Sequence, residues 1–229
     1  MAIFKSIIMP QASGSLGGIV FSRNKGGAYV RARAIPTNPN TAQQVVVRQA
    51  VGNLANLWSN TLTAAQRAAW KNYADNVPVV NALGDSIILT GLNMYTRSNV
   101  PIIQAGLTRV DAAPTVFNLG DYTEPSIAID ATDDEIDVTF DNTDAWANED
   151  DAAMLVYASR PVAASINYFK GPYRYAGKID GDGATPPTSP AAISLPWAVE
   201  AGQKVFAKIA VVRADGRLSY PFRGGAVGA

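Results

Sequence analysis

Apolar residues in the first half of the chain recur at i, i+3, i+4 and i+7, the spacing of one helix face. In the first such segment they are Val47, Ala50, Val51, Leu54, Leu57 and Trp58. Thr41 and Gln44 stand ahead of this segment at the spacing of a capping box. Thr63 and Gln66 have the same spacing ahead of a second amphipathic segment. Because only a few polar residues separate the two segments, the pattern predicts an antiparallel helical hairpin.

A third helix is predicted from about Leu92, with Thr90 as its N-cap. Pro101 is expected to kink or restart this helix, because proline lacks the backbone N–H that the helix interior uses. Gly106 is typical of the residue that follows a helix end. Helix signals stop at 111–114, which we interpret as the linker between two halves of the chain.

Beyond the linker the apolar positions alternate with period two, which is typical of strands with one buried face. The predicted strands are Ser126–Ala131, Glu135–Phe140, Ala152–Ser159, Tyr173–Ile179, Ile193–Leu195, Lys204–Arg213 and Arg217–Tyr220. Seven short strands in about 110 residues predict an antiparallel β-sandwich. The segment AKIAVVRADGRLSYP (207–221) resembles the final hairpin of a fibronectin type III or immunoglobulin-like domain.

The N-terminal region predicts a glycine-hinged β-hairpin, with a turn at 24–27 between 19–22 and 28–33. Period two then places Tyr29, Arg31 and Arg33 on one face and Val30 on the other. We expect this arm to order on a partner, by adding its hairpin to a neighbouring sheet or lying across a subunit junction. The candidate partner-binding residues are Ile19, Phe21, Arg23, Lys25, Tyr29, Val30, Arg31 and Arg33.

These elements together predict an α+β chain of three parts. Residues 1–40 form the basic arm, residues 41–114 a helical domain, and residues 115–229 the immunoglobulin or fibronectin III-like sandwich. The apolar run at the start of the chain is too short for a signal peptide, and no membrane association is expected.

Composition narrows the chemistry, because the chain contains no histidine and no cysteine. Ser-His-Asp and Cys-His nucleophiles, zinc sites of the usual nitrogen and sulfur type, and disulfides are therefore excluded, which leaves carboxylate, Lys, Tyr or Ser chemistry or an oxygen-ligated metal. Asp180 and Asp182 could bind calcium weakly, but their Asp-Gly pairs favour a turn. We expect no cofactor and no enzymatic activity.

The net charge of zero conceals two halves of opposite sign. Residues 1–114 carry ten basic and three acidic side chains, a net +7, and residues 115–229 carry nine basic and sixteen acidic, a net −7. Twelve of those acids lie between Gly120 and Asp151, a stretch without a base. Such a distribution suits a subunit that meets other copies or other proteins through complementary patches.

The order of motifs in the first half resembles a little-characterised family of tailed-bacteriophage and prophage proteins, often encoded among virion structural genes. The motifs are SGSLGGIVFSRNKGGAYVRAR (13–33), IPTNPNTAQQ (35–44) with Arg48, LTAAQRAAW (62–70) and LTGLNMYTRSN (89–99), and the match covers about 14–106. The resemblance implies a structural role in a virus particle. We expect a head decoration or minor capsid protein in the virion, assembled in the host cytoplasm. Its partners would be the major capsid protein, other virion proteins or further copies of itself.

Three alternatives remain. One is a neck or tail accessory protein. A second is a nucleic-acid-binding protein that uses Arg23, Lys25, Arg31 and Arg33, although the −7 half would repel DNA. The third is a carbohydrate-binding or cell-surface adhesion module, whose exposed aromatic residues would be Tyr168, Tyr173 and Tyr175.

Overall fold

The computed structural model describes residues 2–3, 12–34, 37–38, 40–81, 83–120 and 122–229. The chain divides into two compact units, Met1–Tyr95 and Thr96–Ala229, which we call unit 1 and unit 2. Within the described residues, three helices accompany several antiparallel sheets, so the fold is mixed α+β and mostly β. The predicted α+β class is thus confirmed. The predicted domain boundaries at residues 40 and 114 stay predictions.

Unit 1 begins with a four-stranded antiparallel sheet in the order β1-β4-β3-β2. Its strands are β1 (Ala2–Ile3), β2 (Gly14–Leu16), β3 (Ile19–Asn24) and β4 (Gly27–Ala32). The β3–β4 turn is closed by Asn24, whose side-chain oxygen accepts a hydrogen bond from the Gly26 N–H at 2.9 Å. The predicted hairpin is therefore present, and β1 and β2 extend it on both edges. Residues 1, 4–11, 35–36 and 39 of the predicted arm lie outside the described residues.

Two helices follow, α1 (Ala42–Asn60) and α2 (Ala64–Asn76). Thr41 caps α1, since its side chain accepts a hydrogen bond from the Gln44 N–H. Thr63 and Gln66 form a full capping box at the start of α2: each backbone N–H donates to the other's side-chain oxygen. Two short strands, β5 (Val79–Val80) and β6 (Ser86–Ile87), pair next. Both caps read from the sequence are confirmed.

The core of unit 1 is small and aromatic. Its buried apolar side chains are Ala50, Leu54, Leu62, Trp70, Tyr73, Ala74, Met94 and Tyr95. The Trp70 ring packs edge-on against Tyr95 at a centroid distance of 5.4 Å, and Trp58 lies 5.7 Å from the same ring. The predicted apolar face of α1 is only partly buried, because Val47 and Val51 are exposed.

Helix α3 (Gly91–Gln104) contains the division between the two units. The Thr90 hydroxyl accepts a hydrogen bond from the Asn93 N–H, which confirms the predicted cap. Pro101 lies inside one continuous helix and does not restart it. Gly106 follows the helix with φ +73°, and its N–H donates to Ile103 while the Leu107 N–H donates to Ile102. This pair of bonds is a Schellman motif, so the predicted helix end is correct.

Unit 2 contains two antiparallel sheets, one of three strands and one of five. The three-stranded sheet has the order β12 (Ala191–Ser194), β8 (Glu135–Thr139), β7 (Ser126–Asp130). The five-stranded sheet comprises β9 (Ala153–Ala158), β10 (Val162–Ala163), β11 (Arg174–Asp180), β13 (Gln203–Val212) and β14 (Phe222–Val227). Strand β13 pairs with β14 along one edge and with β9 and then β10 along the other, and β11 lies beyond β9.

The two sheets of unit 2 share one hydrophobic core. The five-stranded sheet contributes alternate residues of β9 and β13, namely Met154, Val156, Ala158, Val205, Ala207, Ile209 and Val211. The three-stranded sheet contributes Ile129, Ile136, Val138 and Ile193. The outer face of the five-stranded sheet packs Ala153, Leu155 and Val212 against Ile102 and Ala105. The period-two alternation predicted beyond the linker is therefore confirmed in β8 and β13.

Two arginines at the end of β13 hold an irregular segment in place. Arg213 forms an ion pair with Glu149 and donates to the Leu119 carbonyl at 2.6 Å. Arg217 pairs with Asp215 and donates to the Asn118 carbonyl at 2.7 Å. Both guanidinium groups are mostly buried, so these contacts replace the hydrogen bonds to water that burial removes.

The predicted last strand at 217–220 is wrong. There Leu218 makes only an isolated bridge to Val212, and the true strand β14 begins at Phe222. The Val211 N–H donates to the Ser219 hydroxyl instead of to a backbone carbonyl. Pro221 has no backbone N–H, so the backbone hydrogen-bond ladder is interrupted between the turn and β14. The hairpin turn itself is present, because the Gly216 N–H donates to the Arg213 carbonyl.

Candidate functional site

The strand register sorts the predicted partner-binding residues onto two faces of the unit 1 sheet. Phe21 is opposite Val30, and Ile19 is opposite Leu16 and Ala32. Cross-strand partners share a face, so Leu16, Ile19, Phe21 and Val30 form one apolar surface, which we call the apolar arm face. Leu16 is 76% exposed and Ile19 46% exposed. Leu16 was missed from sequence because the β2 strand is short and rich in glycine and serine.

The opposite face of this sheet combines polar and charged side chains with Val20, whereas Arg23, which pairs with Ala28, lies on the apolar arm face. Tyr29 pairs with Ser22 and Arg31 with Val20, and Arg33 continues the ladder because its N–H donates to the Gly18 carbonyl at 2.7 Å. Arg31 and Arg33 are exposed. The structure therefore agrees with the period-two pattern in this arm, with tyrosine and two guanidinium groups on one side.

Lys25, in the β3–β4 turn, lies at a pocket of about 570 Å³. We call it the basic pocket, and it is lined by Lys25, Trp58, Arg67, Ala68, Lys71, Asp75, Leu89, Thr90, Gly91 and Leu92. The Arg67 guanidinium is held at the wall by a hydrogen bond to the Trp58 carbonyl at 3.2 Å. Lys71 and Asp75 form an ion pair at 2.5 Å, so three cations face one carboxylate. Arg67 and Lys71 lie four residues apart, and that spacing was the available signal in the sequence.

Gly91 makes the floor of the basic pocket possible. A Cβ atom at this position would lie 3.0 Å from the Lys71 backbone nitrogen and 3.0 Å from Cη2 of Trp58. Only glycine therefore lets the start of α3 approach α2 this closely. The resulting pocket combines positive charge with apolar walls from Trp58, Leu89 and Leu92. This chemistry suits the carboxylate and aliphatic stem of an acidic side chain from a partner protein.

The first half of α1 presents a second apolar surface. Val46, Val47 and Val51 are all exposed there, although the helix belongs to a unit with its own core. Arg48 on the same helix donates to the side-chain oxygens of Asn38 at 2.6 Å and Asn40 at 3.3 Å. These bonds hold the segment before α1 against the helix and leave the valines uncovered.

The aspartates considered for calcium form turn and ion-pair contacts. Asp180 pairs with Lys178 at 2.7 Å. The Asp182 carboxylate accepts the N–H groups of Thr185 and Ala184, and these bonds lower the pKa of Asp182 below its ordinary value. Among the described residues, no group of three or more acidic, histidine or cysteine side chains is placed to hold a metal ion.

The tyrosines considered for adhesion lie on unit 2 at two places. Tyr168 is 76% exposed, and Tyr173 packs edge-on against Phe169 at 5.2 Å. Tyr175 packs edge-on against Tyr157 at 5.6 Å.

Within the part of the chain that the structure covers, none of the helices is both long and apolar enough to span a bilayer.

Comparison with known proteins gives little. No protein-family model matches the chain, and no curated protein is similar to it. A family 76 glycoside hydrolase from a bovine Bacteroides thetaiotaomicron strain aligns with 48% of this chain and 20% of its own at 15% identity, with a TM-score of 0.34. An Fn3-like protein from Clostridium thermocellum aligns with 49% of this chain and 96% of its own at 13% identity, with a TM-score of 0.31. The match spans a fifth of the hydrolase, and at these scores we infer neither fold nor activity from either likeness.

Proposed function

We propose that this protein is a non-enzymatic structural component of a bacteriophage virion, attached to the head as a decoration or minor capsid protein through unit 1. Unit 2, with two antiparallel sheets around one core, would then be a displayed domain of the fibronectin III or immunoglobulin-like type. The observation that carries the proposal is the exposure of two apolar surfaces of unit 1. Leu16 and Ile19 are exposed on the apolar arm face, and Val46, Val47 and Val51 are exposed on α1.

The energetics favour the apolar arm face as the anchor. Full burial of one large apolar side chain contributes roughly 1.5–3 kcal/mol. An exposed ion pair made by Arg23, Arg31 or Arg33 contributes only about 0.2–1 kcal/mol. Lys25 and the basic pocket would instead orient the subunit by receiving an acidic side chain of the neighbour. Attachment should therefore depend on apolar burial and resist salt.

The virion role is supported by the sequence resemblance over 14–106 to the tailed-phage family. The non-enzymatic part of the proposal rests on the lack of histidine and cysteine. The major capsid protein, other virion proteins or further copies of this chain are the expected partners. A neck or tail position would use the same surface, and imaging of labelled particles distinguishes these positions from the head.

Binding to particles of the encoding phage that lack this protein tests the proposal. We expect Leu16→Ser with Ile19→Ser to weaken binding about tenfold or more, because two anchoring side chains lose their apolar burial. Arg33→Ala should weaken binding by no more than about threefold. Val227→Ser is the matched control, since Val227 is 45% exposed, close to the 46% of Ile19, but lies on unit 2. Cosedimentation of purified protein with the particles gives the measurement.

Two results would contradict the proposal. One is the absence of binding to any particle of the encoding phage. The other is release of the protein at about 0.5 M salt, where charges are screened within a few ångströms, combined with indifference to the Leu16 and Ile19 substitutions. That second result would favour an electrostatic, nucleic-acid-binding role for the arm.

A further inference from the structure

The outer face of the five-stranded sheet in unit 2 carries a cluster of cations. Lys204 and Lys208 of β13 alternate with Val205, Ala207 and Ile209, whose side chains lie in the core. The lysines therefore lie on the other side of the sheet. Strand β14 adds Arg223, which is directly opposite Lys208 in the register. Three cations thus share one surface.

No carboxylate neutralises this cluster. Between residues that the structure describes, Lys204, Lys208 and Arg223 take part in no ion pair. Residues 96–229 contain seventeen acidic and eleven basic side chains, so acids were available to a unit of net charge −6. Like charges directly opposite each other in a sheet are destabilising. A cation pair left uncompensated in an acidic unit is a feature expected of an anion-binding surface.

Aromatic rings support the same surface. The Lys208 ammonium lies 5.1 Å from the centroid of the Tyr157 ring, and the Lys204 ammonium lies 5.2 Å from that of Phe206. Tyr157 in turn packs edge-on against Tyr175 at 5.6 Å. Burial of Lys208, followed by the nearby Arg223 charge, lowers the Lys208 pKa. The ammonium group is therefore held against the rings, partly stripped of water.

A second group of rings lies beside Phe206. Its ring occupies the space above Gly225, where a Cβ atom would lie 2.7 Å from Cδ1 of Phe206. Phe169 stacks on this ring at 5.6 Å with an interplanar angle of 13°. Tyr173 packs against Phe169 and is close enough to Arg223 for that charge to oppose the rise that burial causes in its pKa. Cations and rings therefore form one continuous surface.

We propose that this surface binds an acidic saccharide, with a sugar carboxylate between Lys208 and Arg223 and sugar C–H faces against the neighbouring tyrosine rings. Charge-assisted hydrogen bonds from the two cations would hold the carboxylate. Tyr173 and Tyr175 would offer both apolar rings and hydroxyl groups to the sugar. This binding is independent of how unit 1 is attached, and it goes beyond the structural role proposed above.

Charge and geometry favour a saccharide over other anions. A nucleic acid carries a phosphate at every nucleotide, and the −6 charge of the unit opposes such a dense polyanion. A peptide that adds a strand would pair with backbone groups along the edge of β14, whereas the cations and rings of this cluster are side chains on the sheet face. A saccharide with one carboxylate among several neutral groups meets neither obstacle.

Calorimetric titration of the full-length protein tests the inference. The acidic probes are methyl galacturonoside and sialyllactose, each with one carboxylate, and their neutral counterparts are methyl galactoside and lactose. We expect at least one acidic probe to bind about tenfold more tightly than its neutral counterpart. The substitutions Arg223→Gln and Lys208→Met should each weaken binding of the acidic probe about tenfold. Arg174→Gln is the matched control, because Arg174 pairs with core-facing Ala158 and lies on the opposite face.

Three outcomes would overturn the inference. The first is no binding of either acidic probe, and the second is equal binding of the acidic and neutral forms. The third is tighter binding of single-stranded DNA that the same two substitutions remove, which would assign the surface to nucleic acid. Melting temperatures of the variants distinguish a loss of binding from a loss of folding. Because Arg223 is exposed, its replacement should leave the melting temperature unchanged.

Discussion

The two units of this protein differ in how completely they bury their apolar side chains. In unit 2, β13 buries all its residues from Val205 to Val212 except Lys208, and its alternate side chains face a core shared by two sheets. In unit 1, α1 runs for nineteen residues, but among its described side chains only Ala50 and Leu54 are buried, while three valines face outward. Both segments are hydrophobic in sequence. The difference lies in whether the unit itself supplies a covering layer.

This contrast separates two kinds of hydrophobic pattern. A strand in the middle of a closed core gains its stability within the chain. A helix that leaves valines exposed gains that stability only when another surface covers them. A complete core suits a self-contained module, and an incomplete one suits an attachment surface. Substitutions in the two units should therefore have effects of different size and on different measurements.

The largest expected effect comes from the core of unit 2. Ile209 is fully buried, so Ile209→Ala should lower the free energy of unfolding by about 2–5 kcal/mol. Val51→Ala, at an exposed position of α1, should change it by less than about 0.5 kcal/mol. Urea unfolding of the full chain, followed by circular dichroism, measures both. An equal cost for the two substitutions would mean that α1 is covered and that the contrast between units fails.

A pH effect of intermediate size is expected from Tyr157 in unit 2. Burial, with a smaller contribution from Tyr175, raises the pKa of Tyr157 to about 12 from an ordinary value of 10. Above pH 10 the unfolded chain loses this proton while the folded chain keeps it. Stability should therefore fall from pH 10 to pH 12, by up to about 3 kcal/mol for this group.

Tyr157→Phe checks the sign of that effect. The variant should lose less stability than the wild type over the same pH interval, because it has no phenol to ionise in the unfolded chain. Tyr168→Phe is the matched control, because it removes a phenol at a largely exposed position. Urea unfolding at a series of alkaline pH values gives the slopes. Identical slopes for wild type and Tyr157→Phe would contradict the prediction.

Effects of opposite sign are expected at two glycines of unit 1. Gly52 lies inside α1 with nothing within 4 Å of its missing Cβ, so Gly52→Ala should stabilise by about 0.5–1 kcal/mol. Gly91→Ala would press against Lys71 and Trp58 and should destabilise by about 1–3 kcal/mol. Thermal melts of both variants decide this. Destabilisation by Gly52→Ala would show that α1 is packed closely at that point.

Local signals in the sequence predicted the elements of this fold well. Thr41, Thr63 and Thr90 cap the three helices as expected, and Gly106 ends the third. These features depend on hydrogen bonds within a few residues, so spacing alone reveals them. The buried alternation of β8 and β13 was readable for the same reason.

Features that depend on distant partners were not readable. The exposure of Val47 and Val51 depends on whether another layer covers α1, which periodicity does not contain. Strand β14 was missed because Gly224 and Gly225 have low strand propensity, and its pairing with β13 supplies what the local sequence lacks. The cation pair of Lys208 and Arg223 exists only through that register. Likewise, the basic pocket needs the turn at Lys25 brought to α2.

The last residues of unit 2 also set the order in which the chain can fold during synthesis. Ala229 donates to the Ile129 carbonyl and accepts from the Ala131 N–H, and Gly228 bridges the same strand. These contacts join positions about a hundred residues apart, and such long-range pairing forms slowly. Unit 1 can fold on the ribosome as soon as it emerges. The core of unit 2 must wait for β14, so its incomplete sheets depend most on protection from aggregation until β14 has been synthesised.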